Sequence, residues 1–216
     1  MGRSLTYILI IGIAKVGSSQ DPERFKEEIA ALLSKPNPKT DHPIIFTGSS
    51  SVKYWGDLET QFPHVNVPII NYGFGGSHMS DLIFYQNDLI LSKNPSKLFI
   101  YEGDNDLAYG KSVDTIIEDF NILLTTINDT FPDLEVYVIS PKPSIARWDL
   151  KDNYMELNDS LASFCEKFKN VKFINVWSPM LGGRSKPPSS LFVGDQLHMS
   201  PAGYKVWKNK IEPYLK

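Results

Sequence analysis

Apolar residues along the chain fall into two alternating kinds of run. Short, nearly continuous stretches bounded by Pro or Gly occupy 43–47, 67–71, 97–101, 134–140 and 171–176, and each reads as a strand buried on both faces. Segments of helical period separate them. Asp21-Pro22 resembles a cap followed by proline in the first turn, and Phe25, Ile29, Leu32 and Leu33 then share one face. Further helices are predicted over 79–91, over 112–128 with Ile116, Phe120, Leu123 and Ile127 on one stripe, and over 150–168 with Leu150, Tyr154, Leu157, Leu161 and Phe168. A last helix starts at Ser200-Pro201 and carries Tyr204, Trp207 and Ile211. Strands that alternate with helices pair in parallel, because a parallel neighbour needs a crossover that a helix supplies. The expected fold is therefore α/β, a three-layer α/β/α sandwich around a five-stranded parallel sheet, formed as one domain by residues 20–216.

The first nineteen residues are set apart from this pattern. Arg3 opens them, 5–14 form a mostly apolar run, and Gly17, Ser18 and Ser19 are small residues before Gln20, which is the form of a secretory signal peptide. Ten apolar residues are too few for a spanning helix, which needs roughly 20, so no stable membrane anchor is expected after processing. A buried first strand or short helix is the alternative, and Lys15 is the residue that fits cleavage least well. Loss of residues 1–19 removes Arg3 and Lys15 and leaves 20 positive against 25 negative side chains in a secreted or periplasmic protein.

Composition narrows the function classes. The whole chain of 216 residues carries 22 Lys+Arg against 25 Asp+Glu, a net charge of −3, with no block of like charge. Neither a basic nucleic-acid platform nor a disordered acidic tail fits. The single Cys165 excludes an internal disulfide and a multi-cysteine zinc site.

Ligands of open parallel sheets bind beyond the carboxyl ends of the strands, near the switch in strand order, so chemistry is sought there. Gly48-Ser49-Ser50-Ser51 follows the first strand; its serines either cap a helix or expose a nucleophile that needs a base. Of the four histidines, His42 and His64 read as solvated loop residues and His78 as a wall of the site. Only His198 has a carboxylate three residues earlier, Asp195, and lies just before a capped helix. That spacing can orient an imidazole, although a plain surface Asp/His pair has the same spacing. Gly73-Phe74-Gly75-Gly76 lacks the third glycine of a dinucleotide fingerprint, since His78 occupies it, so no cofactor is expected. Backbone N–H groups at Gly75 and Gly76 can instead face an oxyanion, or the glycines can serve a tight turn alone. The acidic stretch Glu102-Gly103-Asp104-Asn105-Asp106 has Thr115 where a calcium loop of the EF-hand type needs an acid, and no metal is expected. Asn105 offers an uncharged amide donor.

Four ordered blocks, Phe46-Thr47-Gly48-Ser49-Ser50-Ser51, Asn71-Tyr72-Gly73-Phe74-Gly75-Gly76, Gly103-Asp104-Asn105-Asp106 and Asp195-Gln196-Leu197-His198, together resemble the SGNH or GDSL-type esterases and lipases. The likeness is nearest to the single-domain bacterial branch with platelet-activating-factor acetylhydrolase-like and lysophospholipase-like enzymes. The resemblance implies a flavodoxin-like sheet, a nucleophile at Ser50, a base and acid at His198 and Asp195, and oxyanion donors at Ser50, Gly76 and Asn105. One position departs: Ser49 stands where the family's Asp precedes the nucleophile, and the serine run leaves Ser49 and Ser51 as alternatives to Ser50. The implied partner is a small-molecule ester, of short acyl, acetyl or lysophospholipid type, hydrolysed through an acyl-serine; the oligomeric state is left open. Tyr54, Trp55, Tyr72, Phe74 and Trp177 are near enough to line a pocket, with core packing the default for Trp55 and Trp177. Arg147 and Trp148 are the candidate substrate-binding pair, Arg147 for a carboxylate or phosphate, against an exposed cation and a helix-start aromatic. An acetyl-carbohydrate esterase of the same family and a non-catalytic binding module on the same fold are the alternatives.

Overall fold

The computed structural model describes residues 21–35 and 42–215. The expected signal peptide, 1–19, lies outside the described residues. Five strands, β1 Ile44–Gly48, β2 Ile69–Gly73, β3 Lys97–Tyr101, β4 Glu135–Ile139 and β5 Val171–Ile174, form one all-parallel sheet in the order β2-β1-β3-β4-β5. The helices in chain order are α1 Lys26–Leu33, α2 Ser50–Lys53, α3 Leu58–Gln61, α4 Met79–Leu89, α5 Asp104–Ala108, α6 Val113–Thr130, α7 Lys151–Cys165, α8 Trp177–Leu181 and α9 Pro201–Ile211.

Alternation along each strand divides the core in two. Ile45, Ile70, Leu98, Ile100, Val136 and Val138 face α1, α4, α6 and α7, whereas Ile44, Phe46, Phe99, Tyr137 and Ile139 face α2, α3, α8 and α9. Side chains of successive strand residues point to opposite faces, so covering both faces forces the continuous apolar runs seen in the sequence. The result is the α/β sandwich of SGNH hydrolases. No helix among the described residues is long and apolar enough to cross a membrane.

Strand ends shift by one or two residues from expectation. The first two strands run on to Gly48 and Gly73, because both glycine backbones pair across the sheet. The helix expected over 150–168 opens with a 3-10 turn at Trp148–Leu150 and stops at Cys165. Short α2 starts where the serines after Gly48 place a helix start, whereas α3, α5 and α8 have no counterpart in the sequence reading; one turn carries too little periodicity to show in a sequence.

The sheet reverses its winding between β1 and β3, which are neighbours, so the crevice for a ligand opens where Gly48 and Tyr101 lie side by side. Gly48 has φ 124°, and a Cβ there would stand 2.0 Å from the Tyr101 carbonyl oxygen. Its tight turn lets Ser49 N–H donate to that oxygen at 3.1 Å, while Phe74 N–H donates to the Gly48 carbonyl at 2.8 Å. The chain after β1 is thus pinned to both neighbouring strand ends.

Candidate active site

Ser50 is the first residue of α2, and three long-range bonds hold its turn. Asn71 Nδ2 donates to the Val52 carbonyl at 2.8 Å and the Gly56 carbonyl at 3.2 Å, and the Tyr204 hydroxyl of α9 donates to the Ser51 carbonyl at 3.0 Å. Ser49 and Ser51 are buried, whereas Ser50 is partly exposed and carries its Oγ to 3.0 Å from His198 Nε2.

His198 closes the turn that begins at Val193. Val193 N–H donates to the His198 carbonyl, and Gln196 takes the left-handed φ of 59° that the reversal needs. Asp195 accepts from the Leu197 and His198 N–H groups through Oδ1, both at 2.9 Å, and its Oδ2 lies 2.6 Å from His198 Nδ1. A carboxylate so held orders the turn and fixes the ring tautomer that leaves Nε2 free to accept. Burial acts to raise the Asp195 carboxyl, but the imidazole and the two backbone donors outweigh it and bring it down to about 2. Both Ile145 and Ala146 N–H donate to the Gln196 carbonyl at 3.1 Å, so the loop after β4 clamps this turn from the side.

Gly76, after the end of β2, has φ 76° and open space at its Cβ position, and its N–H makes no hydrogen bond among the described residues. Asn105 is buried at the start of α5. Its Nδ2 donates to the Ser77 carbonyl at 2.9 Å, and its Oδ1 accepts from Arg147 Nη2 at 3.0 Å. The Ser50 N–H is likewise without a protein acceptor among the described residues. Of the candidate substrate-binding pair, Arg147 lies against protein acceptors and Trp148 stacks on Trp177, with ring centres 6.0 Å apart.

Beneath Asn105 lies a set of residues that sequence reasoning did not pick out. The Asp104 carboxylate meets Lys142 Nζ at 3.1 Å and Arg147 Nη1 at 2.5 Å, and accepts from the Tyr101 and Tyr154 hydroxyls. Burial works to raise its carboxyl, yet Lys142 first, then Arg147 and the two hydroxyls, hold it below the usual carboxylate range. The available signal was Lys142 itself, a cation between two prolines three residues beyond a largely buried strand. Asp106 is committed elsewhere, to Lys111 at 2.7 Å. Among the described residues no group of three or more His, Cys, Asp or Glu is placed to hold a metal ion.

Other predicted positions resolve simply. Trp55, Tyr72, Phe74 and Trp177 are core. Tyr54 is 54% exposed, with its ring edge-on to His198 at 5.0 Å. His42 hydrogen-bonds the Asn94 carbonyl, His64 is 3.6 Å from Glu212, and His78 is buried at the start of α4, where burial lowers its ring below the usual histidine range against the pull of Asp106.

A doubly wound, all-parallel sheet with serine, imidazole and carboxylate in series at its switch point is the arrangement of the SGNH hydrolases. The model of the GDSL-like Lipase/Acylhydrolase family matches residues 45–206, and the chain belongs to that family. No curated protein matches the sequence. Solved structures of similar fold include a proposed platelet activating factor from Streptococcus pneumonia, at 18% identity and TM-score 0.77, covering 90% of this chain and 92% of that one. A GDSL-like lipase from Bacteroides thetaiotaomicron aligns at 20% identity and TM-score 0.70, covering 90% and 97%. A catalytic mutant of an acetylxylan esterase from Geobacillus stearothermophilus aligns at 12% and TM-score 0.67, covering 83% and 96%. At these identities the likeness is one of fold.

Proposed function

We propose that this family member is a serine esterase that cleaves short acyl or acetyl esters through an acyl-serine intermediate. The observation that carries the reading is the unbroken series Ser50 Oγ, His198, Asp195, with separations of 3.0 and 2.6 Å. His198 Nε2 takes the hydroxyl proton as Ser50 attacks the ester carbonyl, and Asp195 stabilises the imidazolium. The Ser50 and Gly76 N–H groups and the Asn105 amide receive the oxyanion. The alcohol leaves with the proton from His198, and a water activated by the same imidazole releases the acid and restores Ser50.

The reading is tested by labelling the folded protein with a fluorophosphonate and mapping the modified peptide. An adduct on Ser50 is expected, absent in Ser50→Ala; a folded protein that takes no label is a binding module instead.

Acetylated carbohydrate is the second substrate reading, favoured by the exposed Tyr54 ring beside His198. A cleft of about 300 Å³ lined by Tyr54, Trp55, Gln61, Met199, Pro201 and Tyr204 adjoins it, and its mixed aromatic and polar walls suit a sugar ring. Acetylated sugars assayed against a simple short-chain acyl ester and a lysophospholipid separate the sugar reading from the others. Export of the chain is proposed from its first nineteen residues, and N-terminal sequencing of protein from its own host tests it: a start at Met1 or Gly2 ends that proposal.

A further inference from the structure

The amide of Asn105 can serve an oxyanion only if its nitrogen, and not its oxygen, faces the crevice. Carboxamide nitrogen and oxygen are nearly the same size, so packing alone does not choose between the two orientations; hydrogen bonds do. Here the Ser77 carbonyl takes one Nδ2 proton, and Arg147 Nη2 donates to Oδ1. A flipped amide would set oxygen against the Ser77 carbonyl and NH2 against a guanidinium, two repulsive contacts. The observed orientation leaves the second Nδ2 proton over for a ligand.

Arg147 is itself held in place. Its Nη1 donates to Asp104 Oδ1 and to the Asp104 carbonyl at 3.0 Å, and its backbone N–H donates to Ser144 Oγ at 3.2 Å. Both protons of Nη1 and one of Nη2 are therefore given to protein acceptors. The two arms of the guanidinium fork straddle consecutive residues, Asp104 and Asn105, a geometry that the point charge of a lysine does not reproduce. A cation donating into an amide carbonyl also draws electron density from the nitrogen, which makes the remaining N–H a stronger donor.

We propose that Arg147 is a positioning residue for the Asn105 amide, fixing its orientation and strengthening its donor, and that it is not the binding group for a substrate anion. Its effect on turnover rests on the serine esterase reading above; its effect on the amide does not.

The test uses the whole protein with Arg147→Lys, which keeps a cation for Asp104, and Arg147→Met, each made with and without Asn105→Ala. Hydrolysis of p-nitrophenyl acetate is compared with that of mono-p-nitrophenyl succinate, a neutral and an anionic ester with one leaving group. Arg147→Lys should lower kcat about 10-fold on both esters with little change in KM. In the Asn105→Ala background it should cost less than about twofold. A rise in KM for the succinate alone would make Arg147 an anion site, and a full loss persisting without Asn105 would make its role one of folding; either overturns the proposal. A second readout does not depend on turnover: the Asn105 side-chain NH2 pair in a 1H–15N spectrum, assigned from its absence in Asn105→Ala. Arg147→Lys should shift that pair and speed its exchange with water, and an unmoved pair overturns the proposal even if the protein proves to hydrolyse neither ester. Ester hydrolysis that survives Ser50→Ala would overturn the esterase reading separately. Where Arg147→Met does not fold, Arg147→Lys carries the decision.

Discussion

On one side of the switch point, Ser50, His198 and Asp195 stand where water reaches them, the His198 side chain 27% and the Asp195 side chain 47% exposed. On the other, Asn105 rests on a carboxylate, a lysine 1% exposed and two tyrosine hydroxyls that water does not reach. In the proposed reaction the first group meets substrate and exchanges protons, so its order comes from short local bonds within a turn. The second group moves no proton in the proposed reaction and has only to stay still. Buried charges suit that task, because moving any one of them leaves the others unpaired in a low dielectric. Residues on the open side should therefore govern rate with little effect on stability, and those beneath Asn105 should govern stability first.

Ser50→Ala offers the sharpest break on the open side. Loss of the hydroxyl should reduce kcat by about 10⁴–10⁶-fold while the melting temperature stays near that of the wild type. Asp195→Asn should follow, at about 10⁴-fold in kcat, since the amide supports the wrong imidazole tautomer. Stability should again change little, because Asp195 is half exposed and its pairing is screened. Steady-state kinetics and thermal melts on the same samples check both, and a large loss of stability in Ser50→Ala would erase the contrast.

Asp104→Asn attacks the buried side. It leaves Lys142 and Arg147 without their shared carboxylate, and unfolding free energy should drop by about 3–5 kcal/mol in denaturant titrations. Asn105→Ala, one residue on, belongs functionally to the open side although it is buried. Turnover should fall about 10²–10³-fold, equivalent to about 2.7–4 kcal/mol, with a far smaller change in stability. Equal stability losses at 104 and 105 would show that the two sides are not separable.

The same division marks what could be read before the fold was known. Lys97–Tyr101 is a strand from end to end as its apolar run indicates, because burial on both faces is a local property that composition records. Ser50, Asn105 and His198 stand out in a sequence because their surroundings are local too: a glycine turn, an acidic strand end, an aspartate three residues before. Arg147 read as an exposed cation or an anion-binding group, since nothing within ten residues of it names Asp104 or Asn105 as its partners. Lys142, Tyr101 and Tyr154 come from two strand ends and a helix, and only the sheet order β1-β3-β4 brings them together. Tyr154 was already assigned to the core by periodicity, which says where a ring goes and nothing of where its hydroxyl points.

Glu102, two residues before Asp104, provides the finest test, because the same buried strand end treats its two carboxyls in opposite ways. Asp104 is surrounded by donors and cations, whereas Glu102 Oε1 has only the Ser77 hydroxyl at 2.5 Å and Oε2 has no partner among the described residues. Burial first, then Asp106, raise the Glu102 carboxyl well above its usual range, and the Ser77 bond opposes them only in part. A neutral Glu102 can donate to Ser77 Oγ, freeing the serine proton for the Phe74 carbonyl 3.2 Å away. A carboxyl raised in the folded state contributes stability that is fully present below the ordinary glutamate value and is lost as the pH climbs through the raised one. Asp104 runs the other way: its contribution is present above the ordinary aspartate value and is lost as the pH falls toward the depressed one. Glu102→Gln is neutral at every pH and keeps a hydrogen-bonding group beside Ser77. It should therefore gain stability over the wild type as the pH is raised from 5 to 9 and show no such gain at pH 4, by a margin smaller than any effect above. Parallel melting curves for the two proteins across that range would mean that Glu102 is charged in the fold, and that the buried side tolerates a carboxylate without a cation.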